Sequence, residues 1–472
     1  MKSLPSELWK WDAVDLAHGI RSGTISSQDA VQACLARMAD VNPAINAVVV
    51  DLGRQALAAA RTADAAVARG EPLGALHGVP VTIKINIDQE GQATSNGVAA
   101  YADNIATQDS PVVANFRAAG AVIIGRTNTP AFSARWATDN DLHGRTLNPW
   151  SSAHTPGGSS GGASAAVAAG MGPIAHGNDL AGSVRYPAYC TGVVGLRPSF
   201  GRVPAFNPSA TAERSLSTQW MSVQGPLARR VADVRLALEV MARKDLRDPW
   251  WVDAPLRGEV LARPLRVALS IDPGGTGVHP HVEAALHKAA QALTAAGCIV
   301  ERADPPHMAA IAEDWHVLSK AEAPQFLSAN VHAHGDAGIK AAFGWHMESG
   351  PLPTASEYMD ALARRASWVR QWNAFLERYP LVLCPVSLAP PFLQGADVST
   401  EAAMREIIRT QVSCFAVPLL GLPAISVPTG VEAGLPTGVQ LIAARFREDL
   451  VLDAAEIVES HCPMPTPIQP IS

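Results

Sequence analysis

Residues 156–185, PGGSSGGASAAVAAGMGPIAHGNDLAGSVR, constrain this chain more than any other stretch. Two glycine–serine clusters, at 157–162 and 181–183, flank a short alanine-rich run. Glycine serves where backbone turns sharply or lets another group come close, and it weakens regular helices and strands. Two such clusters, each carrying serine, predict two loops that meet around a bound group. GASAAVAAG between them predicts a short helix packed through small side chains. A flexible Gly/Ser linker does not fit, because linkers hold neither an alanine–valine helix nor a sequence such as NDLAGSVRYP.

The chain around this stretch alternates between helical and strand patterns. Residues 7–20 predict a first helix. Ser26 and Asp29 form a capping-box pattern that opens a second, which Asn42-Pro43 is expected to end. A strand over 45–50 and an alanine-rich helix over about 53–69 follow. The run 79–85 is apolar and β-branched, a buried strand, and Lys84 stands near its end between Ile83 and Ile85. A lysine there is costly unless it is paired, hydrogen-bonded or neutral, although an edge-strand lysine that snorkels to water gives the same pattern. Further on come a helix near 109–119, a strand over 121–125, a turn at 127–132 and a short strand within 190–199. A helix is predicted over 225–242, with Arg229 and Arg230 on its solvated face. Strand, helix and strand over 264–272, 280–297 and 298–302 form a parallel unit. Residues 305–376 read as mostly helical and rich in large rings. Strands over 381–386 and 423–430 precede a closing strand and helix.

Composition removes several function classes. The 472 residues are 48% hydrophobic and 17% charged, enough for a large core. A net charge of -6 gives no basic footprint for nucleic acid. No run of eighteen apolar residues appears, and the first residues lack a signal-peptide pattern, so no membrane association is expected. Six scattered cysteines without a C-x-x-C pair argue against zinc clusters and disulfides, and fit a reducing cytoplasm.

Three chemistries compete for the serines. Gly157-Gly158-Ser159-Ser160-Gly161 fits the letters of a nucleophile elbow, but the preceding WSSAHTP is loop-like rather than a buried strand. A phosphate cradle lacks its lysine-bearing motif. The third reading is a serine–lysine hydrolase, in which a desolvated neutral lysine takes the serine proton. Lys84 and the two clusters supply its parts, and spacing alone leaves open which serine attacks. His176 is a rival base.

Here a resemblance adds what spacing cannot. GVPVTIKINID resembles the lysine strand of the amidase signature family, and PGGSSGGASAAVAAGMGPIAHGNDLAGSVRYPA resembles its glycine–serine core. GPLARRVADV, GLPAISVPTG and GLPTGVQLIAARFREDLVL resemble its later blocks in the same order. The likeness spans nearly the whole chain. It implies one α/β/α domain over 1–472, an α/β fold with a large mixed, twisted sheet of about eleven strands covered by helices. The signature core would lie at about 76–200, with variable pocket segments at about 203–222 and 305–376.

Carried over by position, Lys84 would be the base, Ser159 the bridging serine, entered through a cis peptide from Gly158, and Ser183 the nucleophile. The N–H groups of Leu180, Ala181, Gly182 and Ser183 would form the oxyanion hole, and Asp179 and Arg185 a structural ion pair. No metal or organic cofactor is implied. The expected activity is hydrolysis of an amide, anilide or carbamate through an acyl-Ser183 intermediate. Rings and apolar groups in the variable segments, namely Trp220, Met221, Trp315 and Trp345, are expected with Gly158 to bind a hydrophobic or aryl substrate. AHGND-x-AGSVR further resembles the branch that contains the cyclic nylon-oligomer hydrolase.

Three positions depart from the family pattern: Ile85 stands for an aspartate, Ala181 for a glycine and Leu420 for an asparagine. Other readings are an amidotransferase-type component working with a partner, an esterase or urethane hydrolase of the same family, and a non-catalytic relative. Retention of Lys84, Ser159 and Ser183 together speaks against the last. Family members are often homodimers, and the sequence shows no interface.

Overall fold

Alternate residues along the buried strands go to opposite faces, and each face carries its own core. Val81, Ile83, Val267, Leu269, Leu381 and Leu383 join one apolar cluster. Ala268, Val382 and Cys384, one residue out of step, join a second cluster with Trp315, Trp372 and Phe415. The computed structural model describes residues 5–471. Its strands are β1 (Val48–Asp51), β2 (Pro80–Lys84), β3 (Val122–Thr127), β4 (Ile174–Asp179), β5 (Val194–Arg197) and β6 (Val223–Ala228), then β7 (Arg266–Leu269), β8 (Ile299–Arg302), β9 (Leu381–Cys384), β10 (Ala424–Glu432) and β11 (Leu435–Ala443). They form one mixed eleven-stranded sheet in the order β1-β3-β2-β4-β6-β5-β10-β11-β9-β7-β8. The α/β architecture is the one the resemblance implied.

Two features of this sheet position the site. β2 runs parallel to β4, with Val81 opposite Ile174 and Thr82 opposite Ala175. Lys84 and Asp179 therefore stand at the same, C-terminal edge of neighbouring parallel strands, where open α/β sheets bind ligands. The helix Gly161–Ala168 is buried along its whole length. Its Ala163 and Val167 pack on Ala175, and so on the face to which Thr82 and Lys84 alternate. The small side chains foreseen for this helix are what let it lie so close to the sheet.

Local structure departs from expectation in four places. Residues 7–20 divide into a 3-10 helix Pro5–Lys10 and a helix Ala13–Arg21, because the carboxylate of Asp233 accepts the Val14 N–H at 3.0 Å and anchors a new helix start. The second helix, Ser27–Ile45, runs through Pro43. It stops at Asn46, which is left-handed at φ 50°, while the Asn42 side chain accepts the N–H groups of Ala47 and Val48. The helix predicted over 225–242 begins only at Val231, since Val223–Ala228 is β6. Pairing with β4 and β5 on both sides outweighs the helical pattern there, and Gly225 leaves room for the Leu196 carbonyl. Arg229 is consequently not on a solvated face: it is 3% exposed and donates to the Trp11 carbonyl at 2.6 Å. Arg230 is half exposed.

Candidate active site

Lys84 ends β2 wholly buried, and its Nζ has three oxygen neighbours: Ser159 Oγ at 2.7 Å, Ser160 Oγ at 3.1 Å and Asn178 Oδ1 at 2.8 Å. Burial pushes its pKa well below the ordinary lysine value, and the nearby Asp179 charge opposes this to a smaller degree. A neutral amine has two N–H bonds and one lone pair. Asn178 Oδ1 only accepts, so it takes one N–H. Ser160 Oγ accepts the other, at the longer distance. In that neutral form the lone pair would be left for the shortest contact, the hydroxyl of Ser159. The peptide bond between Gly158 and Ser159 is cis. A side chain at Gly158 would collide with the Arg135 carbonyl and the Trp136–Ala137 peptide, so only glycine fits at that turn.

Ser183 begins the turn before the helix Arg185–Thr191, and its hydroxyl has no hydrogen-bond partner among the described residues. Its backbone is tied to the other serine cluster, since the Ser160 N–H donates to the Ser183 carbonyl at 3.2 Å. Asp179 holds the intervening loop from inside. Its carboxylate accepts from Arg185 Nε and Nη2, both at 3.0 Å, and from the N–H groups of Gly182 at 2.9 Å and Val184 at 3.2 Å. Asp179 and Arg185 are fully buried. Burial alone would raise the Asp179 pKa, but Arg185 and Arg197 hold it well below the carboxylate range.

The Gly182 N–H is therefore engaged within the protein, unlike the expectation that all four N–H groups of 180–183 face a substrate. Those of Leu180, Ala181 and Ser183 have no acceptor among the described residues. Gly182 has φ +86°, and a Cβ there would strike the sulfur of Cys414.

Ser159, Ser183, Asn178 and Leu180 line one cleft of about 560 Å³. Residues 205–222 supply half of its lining, including Phe206 and Arg214, and 305–376 supply none. Phe132, Ser133 and Gln224 complete much of the wall. The rings expected to bind substrate lie elsewhere. Trp315 and Met221 are buried in the second core, and Trp345 packs against it. Trp220 stacks under the Arg365 guanidinium at 5.3 Å. Gly158 is likewise not in the lining, being closed in by the Arg135–Ala137 backbone.

His176 does not reach the serines. It follows Ile174 by two residues, on the face opposite Lys84, and its Nε2 sits 2.8 Å from Gln224 Oε1. Burial lowers its pKa to about 3, against the opposing hydrogen bond to Gln224, so the ring stays neutral. Ser160 and Asn178 were given no role from sequence. The serine doublet in GGSSGG was the only signal for the first, and nothing local marked the second.

A family model described as Amidase matches residues 29–452. The chain is 48% identical over 455 residues to an indoleacetamide hydrolase of Bradyrhizobium diazoefficiens, covering 96% of this chain and 87% of that protein. It is 34% identical over 483 residues to an acylamidase of Rhodococcus erythropolis, covering 96% of this chain and 95% of that one. Among solved structures, 6-aminohexanoate cyclic dimer hydrolase complexed with substrate superposes with a TM-score of 0.82 at 27% identity, over 97% of this chain and 98% of that one.

Proposed function

The chain belongs to the amidase signature family and is an amidohydrolase, and we propose that it cleaves the primary amide of an arylacetic acid, of the indole-3-acetamide kind, with Ser183 as nucleophile. The observation that carries the chemistry is the buried Lys84 Nζ 2.7 Å from Ser159 Oγ, with Ser183 in the same cleft. Neutral Lys84 accepts the Ser159 proton as Ser159 accepts that of Ser183, and Ser183 Oγ attacks the carbonyl carbon. The oxygen that gains charge is met by the free N–H groups of Leu180, Ala181 and Ser183, where one donor is worth about 3–4 kcal/mol. The relay run backwards protonates the leaving nitrogen, which an amide needs far more than an ester does. Water then enters by the same relay and releases the acid from Ser183.

The substrate class rests on the 48% identical relative and on a cleft with room for a bicyclic ring beside Phe132 and Phe206. Six cysteines, all buried and unpaired, support a cytoplasmic setting. Among the described residues no helix is long and apolar enough to cross a membrane.

The test is ammonia release from indole-3-acetamide, phenylacetamide and glutamine by the wild type and Ser183→Ala. The expected result is turnover of the aryl amides, little with glutamine, and none by the variant. Preference for glutamine would favour the amidotransferase-type reading and overturn this substrate class.

A further inference from the structure

The carbonyl groups of the loop before Ser183 are all taken, each by a donor from a different part of the fold. Arg197 Nη1 donates to the Asp179 carbonyl at 2.5 Å. The Trp315 indole N–H donates to the Leu180 carbonyl at 3.2 Å, and that of Trp136 donates to the Ala181 carbonyl at 2.8 Å. The Tyr186 N–H donates to the Gly182 carbonyl at 2.7 Å, and the Ser160 N–H to that of Ser183. In a trans peptide the C=O and the next residue's N–H lie in one plane and point in opposite directions. Fixing the Leu180 carbonyl therefore fixes the Ala181 N–H, and fixing the Ala181 carbonyl fixes the Gly182 N–H. The second of these ends on Asp179, whereas the Ala181 N–H has no acceptor among the described residues.

The two indoles are themselves held. Phe415 lies between them, with ring centroids 4.7 Å from Trp315 and 5.2 Å from Trp136. Trp315 and Trp136 are each 8% exposed, and neither lines the cleft.

We propose that Trp315 is a positioning residue of the oxyanion hole: its indole N–H holds the Leu180–Ala181 peptide so that the Ala181 N–H faces the charge developing on the substrate oxygen. Trp136 does the same for the next peptide, and thereby keeps Gly182 on Asp179 and out of the hole. This rests on Ser183 being the nucleophile. It gives a segment that does not line the cleft, 308–326, an indirect part in rate. The peptide plane is set by a side chain outside the loop rather than by the freedom of a glycine.

The experiment is Trp315→Phe, which keeps an aromatic ring in the cluster but removes the donor together with the second ring. Where this variant does not fold, an isosteric tryptophan analogue with sulfur in place of the ring N–H is placed at 315. Each is assayed on indole-3-acetamide, or on the best amide found, and titrated with a trifluoromethyl ketone and with the free arylacetic acid. The ketone adds to the nucleophile and forms an oxyanion, and the acid does not. The expected result is a fall of about tenfold in kcat with KM within about twofold, a partial loss of one donor. The ketone should weaken by the same factor, with no change for the acid. Unchanged kcat and ketone affinity, or a loss confined to KM and acid binding, would overturn the proposal while leaving the nucleophile assignment intact. A Ser183→Ala enzyme that still turned over would overturn both.

Discussion

Lys84 is where residue chemistry is most exposed to test. It can act as a base only while neutral, and burial pushes it toward that form. Two outcomes follow. With a matched anilide and aryl ester, Lys84→Ala should lose anilide hydrolysis by about 10²–10⁴-fold, the range of a general acid–base contribution. Ester hydrolysis should fall much less, because its leaving group departs without a proton; equal retention of both would make Lys84 structural. The second outcome concerns pH. The folded-state pKa of Lys84 lies below its ordinary value, so the active, unprotonated form gains population as pH rises through that lowered pKa. The acid limb of kcat/KM for the amide should therefore fall well below the titration range of a free lysine. Asn178→Leu removes an acceptor that stabilises the protonated amine at least as much as the neutral one, and should move the same limb further down. His176 cannot supply that limb, being neutral down to about pH 3 and hydrogen-bonded to Gln224.

Single elements show what a sequence reveals and what it hides. The lysine strand and the small-residue helix were legible because each is built from a strong local pattern, while the Asp179–Arg185 pair came with the family likeness. β4 was not legible. No pattern marks residues 174–179 as a strand, and β2 and β6 pair with them on either side. β6 was hidden in the same way inside a helix-like run. The ring residues misled for a related reason: a tryptophan pattern announces burial, but whether it faces a core or a cleft depends on elements far along the chain. Spacing could not choose between Ser159 and Ser183, and the family likeness made that choice.

Asp233 offers a test at this scale, since it anchors the start of helix Ala13–Arg21. Burial raises its pKa to about 7, with Asp12 adding to the effect, and the backbone N–H groups of Ala13 and Val14 and the Arg229 charge opposing it. The folded state thus holds this proton more tightly than the unfolded chain. Its stabilising contribution is complete below about pH 4, declines as pH rises and is gone above about pH 7. Asp233→Asn should remove that decline, so its melting temperature should gain on the wild type between pH 4 and 7. A gap that stays constant with pH would show that Asp233 is ionised throughout.

For the whole molecule, the sheet order sets a constraint that no segment carries alone. β10 and β11, from residues 424–443, lie between β5 and β9 and join the strands of the first half to β7, β8 and β9. Arg185, two residues after Ser183, also donates to Gln440 of β11 at 2.6 Å and to the carbonyls of Ser413 and Cys414. A chain ending before residue 424 should therefore be insoluble or inactive even though it keeps Lys84, Ser159 and Ser183; a soluble, active truncation would show that the two parts stand without their bridge. On the ribosome the same arrangement imposes a schedule. The edge of β5 has to wait, unpaired, while more than two hundred further residues are made, and the two strands that bridge the sheet come after the other nine. A nascent chain of this protein holds Lys84, Ser159 and Ser183 long before it has a closed sheet, and it needs shelter for that open edge in the meantime.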